Sequence, residues 1–251
     1  MGKTIAIAGK GGTGKTTVSS LLVQLLARQG TVLAIDADPS SNLHLCLGLP
    51  LEATVGSVRE EAAKTVRSQE FQAGMSKSNY LELGIRQALV ESSRVDLMAM
   101  GRPEGPGCYC AANNVLRNVV DQLANSYDYV VIDNEAGLEH ISRQTARDVN
   151  FLLIVSDPSI RGIVTAVRVR DLIRELRSHV DRMGLVINRV EGHVPQSVMR
   201  KAQDADLELL GILPVDKALS ELDAEGEPLT KLSDESSVKL GIAALADRLG
   251  L

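Results

Sequence analysis

The chain has 251 residues, 44% hydrophobic and 24% charged. That is enough to bury a sizeable core, and the unbroken pattern of elements argues for one domain over 1–251. With 27 basic and 32 acidic residues the net charge is -5, so no global positive field exists to draw in nucleic acid or an acidic membrane surface. Three cysteines, an apolar run at Ile5 to Ala8 too short for a signal peptide, and no stretch of spanning length point to a reduced, cytoplasmic setting.

The first predicted strand, Thr4 to Ala8, runs into Gly9-Lys10-Gly11-Gly12-Thr13-Gly14-Lys15-Thr16. This fits the phosphate-loop pattern G-x-x-x-x-G-K-[ST], and a helix-period segment, Thr17 to Arg28, follows it. Glycines let the backbone fold with its N–H groups turned inward, and the helix amino terminus adds a positive dipole end. Gly11, Gly12, Thr13, Gly14, Lys15, Thr16 and Thr17 are therefore candidates to cradle ATP or ADP. Lys15 would meet the β and γ phosphates and the Thr16 hydroxyl would meet Mg²⁺.

The second strand, Thr31 to Ile35, ends in Asp36 and Asp38, two acids at the edge where Mg²⁺ and a γ-phosphate would sit, although capping of a turn explains either acid taken alone. Cys46, within Leu43 to Leu49, reads as a small core hydrophobe. The stretch from Glu52 to Arg94 is the least sheet-like, with surface helices expected over Val55 to Arg67 and Asn79 to Glu91, joined by a polar turn at Gly74 to Ser78.

A strand at Val95 to Met100 leads into the glycine- and proline-rich loop that carries Cys108-Tyr109-Cys110. A disulfide across one residue would be strained, and two thiolates make only half of a tetrahedral metal shell. Unligated or redox-active thiols are the alternative. After a helix over Asn113 to Asn125 comes the strand Tyr129 to Ile132, which ends in Asp133 as a Walker B acid does when it binds Mg²⁺ through water. Asn134 and Glu135 follow it with their roles open.

Further strands are expected at Phe151 to Val155 and Gly184 to Ile187, with a helix over Ile163 to Arg177 between them. The final helix, Val238 to Leu251, spaces Val238, Ile242, Leu245 and Leu249 as a core-facing stripe and carries few positive charges, unlike a basic membrane anchor. Near-continuous apolar strands alternating with helices predict an α/β P-loop NTPase fold, mainly a parallel sheet with helices on both faces. His44, His140, His179 and His193 lack ligand-type spacing.

The loop, with its second lysine Lys10, resembles the deviant Walker A ATPases. These include nitrogenase iron protein, the Min and Par positioning ATPases and the metallocentre maturation ATPases. The resemblance implies a nucleotide-dependent homodimer in which Lys10 reaches the partner's phosphates. It further implies that Asp38 positions the attacking water, that Asp36 lies close to the magnesium shell, and that Asn188 with Arg189, and Pro214 by its backbone, line the adenine. A plain loop explains Leu213 to Asp216 nearly as well.

The C-x-C, together with Asp133 to Gly137 and the following Leu138-Glu139-His140, is similar to CooC-type maturation ATPases. That likeness implies that Cys108 and Cys110 of two chains hold one Ni²⁺ or Zn²⁺ at the dimer interface. The implied client is a nickel enzyme of the carbon monoxide dehydrogenase or acetyl-CoA synthase type. The alternatives are a Min/Par-type positioning ATPase acting on membrane or DNA, and an electron-transfer ATPase like nitrogenase iron protein with a bridging iron-sulfur cluster.

Overall fold

A strand that is apolar at every position must be covered on both faces. In a computed structural model, which describes residues 2–67, 77–102, 118–135, 148–176 and 179–251, the strands are covered in this way. Strands β1 (Lys3–Gly9), β2 (Val32–Asp36), β3 (Val95–Ala99), β4 (Tyr129–Asp133), β5 (Asp148–Ser156), β6 (His179–Val190) and β7 (Leu209–Pro214) form one seven-stranded parallel sheet. The strand order is β3-β2-β4-β1-β5-β6-β7.

The helices are α1 (Lys15–Leu26), α2 (Leu43–Leu47), α3 (Val55–Arg67), α4 (Lys77–Gln87), α5 (described over 118–124), α6 (Ile160–Glu175), α7 (Gln196–Asp204), α8 (Lys217–Glu225) and α9 (Ser237–Leu249). Successive strand residues point to opposite faces. Ile5, Ile7, Ala34, Val131, Leu153 and Val186 therefore pack against α1 and α9, while Ala6, Ala8, Ile35, Ile132, Leu152 and Ile154 pack against α3, α4 and α6. Each such Ile, Leu or Val contributes about 1.5–3 kcal/mol on leaving water.

All six predicted strands are present, and the sheet has the expected parallel form. Two features differ. β6 begins at His179, well before the apolar core of the run, and a further strand, β7, occupies Leu209–Pro214, overlapping the first two residues of the Leu213 to Asp216 segment. β7 lies at the sheet edge, and only Leu210 and Leu213 of it are buried, in place of the continuous burial of the inner strands.

The predicted stripe on α9 is in the core, with Val238, Ile242, Leu245 and Leu249 between 1% and 6% exposed. Among the described residues no helix is long and apolar enough to cross a membrane. Because the strands run in parallel, their carboxyl ends share one edge, and β1, between β4 and β5, delivers the phosphate loop to the middle of that edge.

Candidate nucleotide site

The loop from Gly9 to Gly14 joins the end of β1 to the first turn of α1. A side chain at Gly9, where φ is 143°, would put Cβ 2.1 Å from the Val155 carbonyl oxygen of β5, so only glycine fits there. Within the loop the Lys10 carbonyl accepts the Thr13 hydroxyl at 2.8 Å and faces Lys15 Nζ at 3.5 Å. Thr13 and Lys15 are buried, Gly11 and Gly12 are exposed, and Gly14, Thr16 and Thr17 are half-buried. Burial lowers the pKa of Lys15, and the negative charges of Asp133, Asp38 and Glu135 oppose that shift.

Asp36 and Asp133 are register partners at the ends of β2 and β4. Asp133 Oδ1 accepts the Ser19 hydroxyl at 3.0 Å, and Ser19 also bonds the Lys15 carbonyl at 2.9 Å. Burial pushes the Asp133 carboxyl up to about 6, against the hydroxyls of Thr16 and Ser19 and the charge of Lys15. Its Oδ2 and the neighbouring Asn134 Oδ1 are buried acceptors with no hydrogen-bond partner among the described residues. Asn134 donates from both its backbone N and its Nδ2 to the Ile7 carbonyl, at 3.1 and 3.0 Å.

Two orphaned buried oxygens are expensive unless donors arrive. The waters of a hydrated Mg²⁺ are such donors, and the oxygen-rich set of Thr16 and Asp133 suits that ion. Asp36 is arranged differently, since its oxygens accept backbone N–H groups of Asp38 at 3.1 Å and Leu43 at 2.8 Å. It lies beside Asp133 and fastens the loop that follows β2. Burial pushes its carboxyl up to about 7, the Leu43 N–H opposes this, and the Asp133 charge adds to it. Asp38 is half-buried and caps the next turn through Ser40 N at 2.8 Å.

Lys10 is half exposed, and its Nζ lies 3.9 Å from Asp157 at the end of β5. Asn188 and Arg189 reach the phosphate loop itself. Asn188 Nδ2 donates to the Thr13 carbonyl at 2.8 Å, and Arg189 Nη1 donates to the Gly12 carbonyl at 2.9 Å. Pro214 closes β7 opposite Val190.

Asp216 caps α8 through Leu219 N and also takes hydroxyl hydrogen bonds from Ser236 and Ser237. Although burial acts the other way, these bonds, led by Ser236, hold its carboxyl at about 2. That part of Leu213 to Asp216 is structural. Cys46 is half-buried against the core, and burial pushes its thiol up to about 11, so it behaves as the small hydrophobe expected. Cys108, Cys110 and His140 lie outside the described residues. Among the described residues no three metal-ligating side chains converge.

Ser19 was not singled out from sequence. It stands four residues after Lys15, one helical turn on, and a hydroxyl at that spacing on the face turned toward a Walker B acid is a readable signal.

A central parallel strand feeding a glycine-rich loop and a helix amino terminus, with a buried aspartate on the adjoining strand, defines a P-loop nucleotide-hydrolysing protein. A family model described as the CobQ/CobB/MinD/ParA nucleotide binding domain matches residues 4–229, so the chain belongs to that family and is an ATPase. It is 42% identical over 246 residues to an uncharacterised ATP-binding protein of Methanocaldococcus jannaschii, covering 98% of this chain and 97% of the relative. It is 30% identical over 258 residues to the carbon monoxide dehydrogenase accessory protein CooC of Rhodospirillum rubrum, covering 98% and 97%. Among solved structures, the septum site-determining protein MinD of Pyrococcus horikoshii, complexed with Mg-ADP, shares the fold with a TM-score of 0.70. The two are 24% identical, over 99% of this chain and 96% of that one.

Proposed function

We propose that this chain is a single-domain, dimeric maturation ATPase that couples ATP hydrolysis to holding and releasing a thiophilic metal, nickel or zinc, for a carbon monoxide dehydrogenase-type client. The observation that carries this reading is the end-to-end similarity to an accessory protein of that enzyme, in a chain that also has a C-x-C on a glycine- and proline-rich loop. Cytoplasmic residence goes with it, as does the absence of a membrane or nucleic-acid partner.

In this reading the phosphate-loop N–H groups and Lys15 bind the phosphates, Thr16 and Asp133 hold Mg²⁺, and Asp36 keeps the loop after β2 in place beside them. Bound Mg²⁺ would neutralise charge on the β and γ phosphates. Asp38 orients the attacking water, Lys10 crosses to the partner's nucleotide, and Asn188, Arg189 and Pro214 border the adenine. Cys108 and Cys110 from each chain hold the metal cargo; four thiolates complete the tetrahedral shell that one chain leaves half made.

The positioning reading draws support from the MinD-like fold. Burial of the α9 stripe in the core speaks against its membrane form, because that apolar face is already used. The deciding experiment is an anaerobic titration of Ni²⁺ and Zn²⁺ into the reduced protein and a Cys108→Ser/Cys110→Ser variant, with oligomeric mass followed throughout. The expected result is about one metal per dimer, abolished in the variant. Identical behaviour of the two proteins removes the metal-carrier reading and leaves an ATPase whose partner lies elsewhere.

A further inference from the structure

Parallel strands β6 and β7 pair with two register shifts: β7 has the extra residue Leu210 between the Leu185–Leu209 and Val186–Gly211 pairs, and after Ile187 with Ile212 pairing resumes only at Val190 with Pro214. Between those last two pairs β6 has two residues, Asn188 and Arg189, where β7 has only Leu213, so β6 carries one extra residue and the ladder is bulged. At the bulge Arg189 adopts φ of 59°, a left-handed conformation that disfavours any residue with a Cβ. Such strain persists where the surroundings hold it in place, and it concentrates at functional sites.

The bulge turns two consecutive side chains onto two consecutive carbonyls of the phosphate loop. Asn188, 5% exposed, takes Thr13, and Arg189 takes Gly12. A loop that turns its N–H groups toward phosphates must turn its carbonyls away, and a buried carbonyl needs a donor. Thr13 is 1% exposed, so Asn188 meets that need. Gly14 is shaped to allow it. At φ of 87° it favours glycine in its own right, and a Cβ there would lie 2.5 Å from Asn188 Nδ2.

We infer that Asn188 and Arg189 are positioning residues for the phosphate loop, so that base and phosphates are read through one shared side chain. The carboxamide nitrogen of Asn188 carries two hydrogens, and one is committed to Thr13. The other, with the amide oxygen, can still pair with the adenine edge. A base seated against Asn188 therefore also fixes the loop that grips the phosphates, and a loosened loop weakens every ligand that has phosphates. The inference rests on the nucleotide site proposed above and adds a function to residues placed there as base contacts.

The test uses a ligand with no base. Binding of inorganic tripolyphosphate with Mg²⁺, and of ATP, is measured by calorimetry for the native chain, Asn188→Ala and Arg189→Gly. Amide hydrogen exchange over residues 11–15 is followed without ligand. Asn188→Ala is expected to weaken tripolyphosphate about tenfold, as loss of a donor to a buried carbonyl would, and ATP at least as much, with faster exchange confined to the loop. Arg189→Gly keeps the left-handed backbone without strain and removes only an exposed guanidinium, so it is safe for folding. It should weaken tripolyphosphate about threefold, in line with a more exposed bond.

If either variant binds tripolyphosphate as the native chain does while ATP binding falls, these residues read only the base and the inference is overturned. A native chain that binds neither ligand would overturn the nucleotide site itself, an outcome distinct from unchanged variants of a chain that binds both.

Discussion

The carboxyl ends of β2 and β4 lie side by side, each with a buried aspartate, yet the two tips are built to opposite plans. At the tip of β2 both oxygens of Asp36 are taken by backbone N–H groups of the following loop. At the tip of β4 Asp133 has one oxygen held by Ser19 and the other left without a partner among the described residues. Two carboxylates that look equivalent in sequence thus divide the work. The satisfied one fastens the loop after β2, and the one with a free oxygen is the carboxylate that the proposed function gives to Mg²⁺.

The sharpest way to break this contrast is Asp133→Asn. Hydrolysis of ATP is expected to fall roughly a hundredfold or more, as loss of several kcal/mol of metal-assisted stabilisation would give, while urea unfolding of the nucleotide-free protein stays within about 1 kcal/mol of the native value. Asp36→Ala should do the reverse. It strands two N–H groups and is expected to cost about 2 kcal/mol or more in urea unfolding. If that variant keeps its stability but loses hydrolysis, Asp36 belongs with Asp133 and the contrast fails.

A smaller effect sharpens the same point. Ser19→Ala removes the hydroxyl hydrogen-bonded to Asp133 Oδ1 and should weaken Mg²⁺ dependence of hydrolysis about fivefold, read as a shifted Mg²⁺ midpoint at fixed ATP. The smallest expected effect is on pH. Burial raises the Asp36 carboxyl to about 7, so the folded protein keeps a proton that the unfolded chain releases near pH 4. This contribution to stability is present in full below that pH and is lost as pH rises toward 7. Thermal melts of the nucleotide-free protein should therefore fall across that window, and Asp36→Asn should melt lower and with a flatter pH slope.

Much of this was legible in the sequence. The inner strands announce themselves because both faces are covered, so Ile5 to Ala8 and Tyr129 to Ile132 are apolar throughout. β7 did not, because its short run Leu209 to Pro214 is interrupted by Gly211 and ends in Pro214, residues that read as turn punctuation. The polar first half of β6, His179 to Met183, hid that strand's length. In the site, the phosphate loop and Asp133 are local patterns and could be read directly. The contacts from Asn188 to Thr13 and from Ser19 to Asp133 join residues 175 and 114 positions apart, and only the strand order brings them together. The bulge that redirects Asn188 and Arg189 depends on how β6 meets β7, which no short motif encodes.

The pairing of Lys10 with Asp157 has a consequence for assembly. At 3.9 Å, with both side chains substantially open to water, such a pair is worth less than about 1 kcal/mol. The isolated chain therefore places no lock on this lysine, and added salt would release it almost as readily as a neighbouring chain. If two chains close over nucleotide as proposed, the threshold for closing is set by what occupies the phosphate loop, and Lys10 follows without a toll of its own.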